Sequence, residues 1–222
     1  MFSSLAHRYD LANHLLSLNQ DKRWRKAVVK WANPQPGQHL LDLCTGTGDL
    51  ALDFAKAADI QVTGIDISDK MLAIAAEKTK RIAFDHRINY DEGNVLELPY
   101  PDDQFDIATI AFGLRNLPDY EQGLREMHRV LKPGGQLLIL EFSLPKGLWG
   151  KFYLWYLKNL LPHIGGWITG KKDAYQYLDQ SIRDFPARED LSNLMKSIGF
   201  QDVNIRSFQG GIALIHRGVK IY

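Results

Sequence analysis

The sequence predicts an α/β fold: a doubly wound sheet of about seven strands, mostly parallel, that finishes on an antiparallel C-terminal hairpin. Three observations carry this expectation. Short apolar runs suited to buried strands alternate with amphipathic helical segments. A glycine-containing turn follows the first run, and Gly210-Gly211 separates two apolar runs near the C-terminus. The 222 residues suit one domain with an insertion or cap. With 45% hydrophobic and 24% charged residues, the composition excludes disordered, collagen-like and disulfide-framework chains.

In chain order, the first element is a helical N-terminal arm over residues 1–32. A buried strand follows at Leu40 to Leu43, then a helix at Asp49 to Ala58 and a second strand at Gln61 to Ile65. Ser68 to Arg81 is a helix with Met71, Leu72, Ile74 and Ala75 on one face, and Ser68 is placed to cap it. The third strand is Ile88 to Asp91. Phe105-Asp106 opens the fourth, Ile107 to Phe112, with Asp106 read as a loop cap. Lys132-Pro133-Gly134-Gly135 stops a helix running from Tyr120 to Leu131 and leads into the fifth strand, Gln136 to Phe142. Residues 143–185 form a helical cap, and Val203 to Phe208 with Ile212 to Val219 form the hairpin on the sheet edge. Residues 1–222 thus make a single domain.

The only cysteine, Cys44, has no partner for a disulfide or a thiolate metal site, which points to a reducing compartment. Arg8, Asp10 and two histidines break the apolar character of the first eighteen residues, unlike a signal peptide. No wholly apolar run is longer than Phe152 to Leu157, which falls far short of the roughly 18 residues needed to span a bilayer. No His, Cys or carboxylate cluster has metal-ligand spacing.

The chemistry concentrates after the first strand. In Leu40-Leu41-Asp42-Leu43-Cys44-Thr45-Gly46-Thr47-Gly48-Asp49, the glycines let the backbone turn tightly and approach a ligand. Asp66 closes the second strand, where an acid accepts hydrogen bonds from both hydroxyls of a ribose. Gly46-x-Gly48-x-x-Ala51 also satisfies a loose dinucleotide fingerprint, so an NAD-dependent oxidoreductase stands as the rival enzyme. Asn94 and the Val95 backbone, in the turn after the third strand, are placed for the edge of an adenine.

The order of glycine turn, ribose acid, Asn-containing turn and Phe-Asp strand followed by Leu-Lys-Pro-Gly-Gly resembles the Rossmann-like S-adenosylmethionine-dependent methyltransferases. That superfamily usually has glycine where this chain has Cys44, and often at Thr45. The resemblance narrows with Phe2 through Asp10 followed by Asn13, Ala111-Phe112-Gly113-Leu114-Arg115-Asn116, and Leu140-Glu141-Phe142-Ser143. Leu161-Pro162-His163-Ile164-Gly165, Tyr175-Gln176-Tyr177-Leu178 and Ile215-His216-Arg217-Gly218 add to it. These strings resemble the quinone C-methyltransferase family of menaquinone and ubiquinone synthesis.

The resemblance implies donor contacts at Thr45, Gly46, Thr47, Asp66, Ile67, Met71, Asn94, Val95 and Ala111; the family has Ser at the last, leaving only a backbone contact there. It implies methylation of a ring carbon of a prenylated quinol, demethylmenaquinol in preference to the benzoquinol. Arg115 is assigned to the phenolate and Asn116 to orienting the ring oxygen, because a guanidinium, which keeps its charge in proteins, is a poor literal base. Tyr9, His163 and Tyr175 are substrate-side candidates.

The formal charge of +1 hides an uneven distribution. Residues 1–39 hold six basic and two acidic residues, and residues 143–172 hold five basic and none acidic, leaving −8 for the rest. Interleaved with Trp149, Phe152, Tyr153, Trp155, Tyr156 and Trp167, these cations suit a membrane surface; stacking of nucleic-acid bases is the rival, and the near-neutral total argues against it. The expectation is a cytoplasmic enzyme, peripheral on the inner face of the cytoplasmic membrane, without a nucleic-acid partner. The oligomeric state stays open, a homodimer included.

Overall fold

A computed structural model describes Ser17, residues 20–145, Gly150 and residues 180–221. Helix α1 (Asp21–Ala32) is followed by β1 (His39–Leu43), α2 (Asp49–Ala57), β2 (Gln61–Asp66), α3 (Asp69–Arg81) and β3 (Ile88–Glu92). Then come β4 (Phe105–Ala111), a 3₁₀ turn (Leu114–Asn116), α4 (Tyr120–Val130), β5 (Leu131–Phe142), α5 (Arg188–Ile198), β6 (Phe200–Phe208) and β7 (Ala213–Lys220). The seven strands lie in the order β3-β2-β1-β4-β5-β7-β6. The first five are parallel, and β7 pairs antiparallel with both β5 and β6.

The period of two in the strands separates two apolar layers. In β1, Leu40 joins Trp24, Val28, Phe54, Val62 and Ile107 on the α1–α2 side. Its neighbour Leu41 joins Ala108, Met127, Ile139, Leu191 and Phe200 on the α4–α5 side. Trp24 is 1% exposed, packs edge-on to Phe142 and tilted to Phe112, and donates from Nε1 to Gln209 in the β6–β7 turn at 2.7 Å. That one ring ties α1 to the ends of β4 and β5.

Three local expectations need correction. Ser68 occupies the N-cap position of α3, but its hydroxyl makes no capping bond. Its N–H is instead drawn to Asp66 Oδ1 at 3.0 Å, while Asp69 Oδ1 takes the N–H of Lys70 at 2.7 Å. Lys132-Pro133-Gly134-Gly135 does not merely end a helix. α4 stops at Val130, Leu131 already pairs with Phe105, and the four residues form an irregularity inside β5 with Gly134 at φ +80°. Asp106 is more than a loop cap, since Oδ2 accepts the His39 N–H at 2.8 Å and Lys132 Nζ at 2.9 Å. Helix α5 went unread in the sequence, although Leu191 and Met195 at a four-residue spacing are buried and Gly199 ends it at φ +125°.

Of the arm (1–32) and cap (143–185), most residues lie outside those described, among them Tyr9, His163 and Tyr175. Among the described residues, no helix is long and apolar enough to cross a membrane.

Candidate active site

The carboxyl ends of β1, β2, β3 and β4 converge on one cleft, as open parallel sheets arrange it. The loop after β1 turns back on itself through left-handed residues: Cys44 at φ +50°, Gly46 at +56° and Gly48 at +78°. Cys44 therefore sits in a conformation that favours glycine, which is the physical content of its departure from the superfamily pattern. Thr45 donates its N–H to the Ile65 carbonyl at 3.0 Å and its hydroxyl to Asp42 at 2.6 Å. Asp42, 1% exposed, also accepts from Thr109 Oγ1 at 2.8 Å and from the Ala51 backbone. Burial nevertheless pushes its pKa up to about 6.

Asp66 at the end of β2 accepts the Gly46 N–H on Oδ2 at 2.8 Å and the Ser68 N–H on Oδ1 at 3.0 Å. Burial raises its pKa, and these backbone donors oppose the rise. The Ile67 N–H is drawn to the same carboxylate, and of its roughly four lone-pair sites about one stays open to a ligand hydroxyl. The Gly93 N–H bonds the Asp66 carbonyl at 3.0 Å, fixing the turn after β3, and Asn94 Oδ1 accepts the Leu96 N–H at 3.0 Å.

The resulting cleft, about 330 Å³, is lined by Cys44, Gly46, Asp66, Ile67, Ser68, Met71, Gly93, Asn94, Val95, Leu96, Phe112, Gly113, Asn116, Leu117 and Pro118. It brings together the expected donor residues Gly46, Asp66, Ile67, Met71, Asn94 and Val95, with Asn116 beside them. Thr45 and Thr47 are not lining residues: both are buried in the loop, Thr47 Oγ1 accepting from Lys78 Nζ at 2.9 Å. Ala111 also stays behind the wall, which is formed instead by Phe112 and Gly113. Sequence reasoning missed Cys44, Ser68, Gly93, Leu96, Phe112, Gly113, Leu117 and Pro118 as lining residues. Their signal was position alone, immediately after strand ends.

Arg115 differs most from expectation. Its side chain is 5% exposed and is not among the lining residues. Nη1 is held by the Glu141 carboxylate and by the Phe112 carbonyl at 2.8 Å, and the guanidinium lies 5.4 Å above the Phe142 ring. Its Nε is buried with no hydrogen-bond partner. Asn116 Nδ2 donates to the same Phe112 carbonyl at 3.2 Å. Burial and the nearby Asp66, Asp42 and Glu141 charges push the Cys44 thiol far up, so it is held as a neutral thiol.

The cleft fits an adenosyl donor on its own features. Apolar Ile67, Met71, Val95 and Leu96 flank a carboxylate with a spare acceptor site, and a Cβ at Gly46 would meet nothing nearer than the Cys44 carbonyl at 4.0 Å. The Ser68 hydroxyl on this wall is buried and unpartnered. Ile67 is 76% exposed, a large apolar side chain presented to whatever enters.

Comparison with known proteins follows the same line. A solved putative S-adenosyl-L-methionine-dependent methyltransferase from Methanococcus maripaludis superposes with a TM-score of 0.72 at 19% identity, covering 99% of this chain and 94% of that one. Phosphoethanolamine N-methyltransferase 2 of Haemonchus contortus, solved with S-adenosyl-L-methionine, gives 0.69 at 18% identity, over 90% of this chain and 53% of that one. Both likenesses establish the fold. Closer in sequence are a demethylmenaquinone methyltransferase of Thermus thermophilus, 46% identical over 98% of this chain and 99% of that one, and a ubiquinone/menaquinone biosynthesis C-methyltransferase of Geobacter sulfurreducens, 44% identical over 99% and 87%. The model of the ubiE/COQ5 methyltransferase family matches residues 1–220, and the chain belongs to that family.

Proposed function

We propose that the protein transfers a methyl group from S-adenosylmethionine to a ring carbon of a prenylated quinol, with demethylmenaquinol as the acceptor. The carrying observation is full-length identity of 40–46% to proteins named demethylmenaquinone methyltransferase, joined to a cleft that fits an adenosyl donor. When bound, S-adenosylmethionine supplies an electrophilic methyl group on a sulfonium sulfur. The chain's own residues do the rest. Asp66 accepts a ribose hydroxyl, Asn94 and the Val95 backbone meet the adenine edge, and the open side of Gly46 lets the backbone approach. Ile67, Met71, Val95 and Leu96 exclude water, which strengthens every polar contact within the cleft.

Methylation of an aromatic carbon needs electron density there, which a quinol provides once a hydroxyl is deprotonated. We take Arg115, on the turn that walls the cleft, to favour that anion through the N–H groups that Glu141 and the Phe112 carbonyl leave unbonded. Asn116, on the cleft wall, orients the same oxygen. The basic, aromatic stretches in residues 1–39 and 143–172 support attachment to an anionic membrane face from which a prenylated substrate is drawn.

The test is transfer of labelled methyl to each of the two demethylated quinols in detergent with reductant present. Label in the naphthoquinol is expected. Label in neither quinol, or calorimetric binding of NADH with none of the donor, overturns the proposal. Sedimentation with anionic but not zwitterionic vesicles is expected for the membrane attachment; equal recovery with both removes it.

A further inference from the structure

Glu141 stands at the end of β5, behind the turn that carries Arg115 and Asn116. It is 2% exposed, and its carboxylate serves that turn from several directions. Oε2 accepts the Arg115 backbone N–H at 3.1 Å, while Oε1 accepts Arg115 Nη1 and the Phe142 N–H, the latter at 3.0 Å. Through Arg115 Nη1 it also fixes the Phe112 carbonyl, in a residue held at φ +57°. The turn has little room to move elsewhere, since a Cβ on Gly113 would lie 2.5 Å from Cys44 Cβ.

Burying a carboxylate with a guanidinium is a poor way to stabilise a fold, because apolar residues of like volume pack there as well or better. What the pair does provide is orientation: backbone and side chain of one arginine gripped by one carboxylate, with the Nε–H left unbonded. The donor half of the cleft draws its hydrogen-bonded support from other groups, Asp66 on β2 and Asp42 on β1.

We infer that Glu141 is a positioning residue for the methyl acceptor: it locks the 112–116 turn and the Arg115 guanidinium so that the N–H groups not held by Glu141 or Phe112 are kept for the acceptor's ring oxygen. The inference rests on the assignment of Arg115 to that oxygen. It predicts that Glu141 governs turnover and leaves donor affinity alone.

The experiment uses the full chain with S-adenosylhomocysteine as the calorimetric probe and labelled-methyl transfer to the demethylated naphthoquinol as the activity. Parent, Glu141→Gln, Arg115→Gln and the Arg115→Gln/Glu141→Gln double variant are compared. Glu141→Gln is expected to lose about 100-fold in kcat, the scale of a misplacement near 1 Å. Probe affinity should stay within about twofold, a split that a merely structural role would not produce. The double variant should be no slower than Arg115→Gln, because the amide oxygen of glutamine at 141 still accepts a backbone N–H of the turn and what Glu141→Gln removes is the grip on the guanidinium. Parent-like kcat in Glu141→Gln, multiplied losses in the double variant, or loss of probe affinity in step with turnover would each overturn the inference. Parent-like turnover in Arg115→Gln overturns instead the assignment of Arg115, which separates the two failures. The double variant buries no unpaired charge, so it keeps the test open if a single variant does not fold: parent-like turnover in it sinks the inference.

Discussion

Replacing Asp42 by asparagine tests how the donor loop is held. The carboxylate accepts hydroxyls from Thr45 and Thr109 at 2.6 and 2.8 Å and a backbone N–H from Ala51, yet burial carries its pKa from 3.8 up to about 6. Because the folded-state pKa is the higher one, the protonated carboxyl's contribution to stability is fully present below pH 3.8 and is lost as the pH rises through about 6. A gap of roughly two pH units corresponds to about 3 kcal/mol. Asparagine has no charge to lose, but it offers one acceptor oxygen where the carboxylate has two, at a cost of about 1–2 kcal/mol. The variant should therefore be less stable than the parent by about 1–2 kcal/mol at about pH 4 and at least as stable at about pH 8. Urea unfolding of both proteins across that range measures the difference, and distant titrating groups cancel in the subtraction. A constant offset between the two curves would refute the reasoning.

Other perturbations separate support from contact. Gly48→Ala places a methyl 2.4 Å from Tyr90 Oη and 3.0 Å from Ala75 Cβ at φ +78°, so a loss of about 2–4 kcal/mol is expected in thermal or urea unfolding. Gly46→Ala at φ +56° meets no atom nearer than 4.0 Å; strain of about 1–2 kcal/mol should accompany a loss of donor affinity in calorimetry. Asp66→Ala removes the acceptor for three backbone N–H groups, those of Gly46, Ile67 and Ser68, as well as for the ribose, and donor affinity should fall about 100-fold, with unchanged affinity refuting its role. Trp24→Ala should cost about 3–5 kcal/mol, read by unfolding, since its ring bridges α1 to Phe112 and Phe142.

The strands of the sheet were legible because buried parallel strands leave short apolar runs that local pattern alone reveals. The donor half of the site followed from them, since Asp66, Asn94 and Gly46 occupy strand ends that topology brings together. What stayed hidden depends on contacts across the sequence. Nothing local marks Glu141 as the partner of Arg115, 26 residues away. Ser68 fits the local rule for a helix cap, but Asp66 captures its N–H and leaves the hydroxyl unbonded, which no propensity encodes. Helix α5 was lost among the residues around it, although its buried Leu191 and Met195 carry the helical period.

The close approach of Cys44 and Gly113 has a consequence for how this cleft tolerates change. Cys44 carries a Cβ at φ +50°, and Gly113, in an ordinary backbone conformation at φ −105°, lacks one because Cys44 already fills the space. The two positions hold a single side-chain volume between them. Moving that volume across the gap, with glycine at 44 and alanine at 113, relieves the left-handed strain and removes the two tightest contacts, leaving Ile110 at 3.1 Å to adjust. Alanine at 113 beside the native cysteine has no such escape. The wall between the donor loop and the acceptor turn is thus a shared seam, and substitutions on either side of it act as a pair.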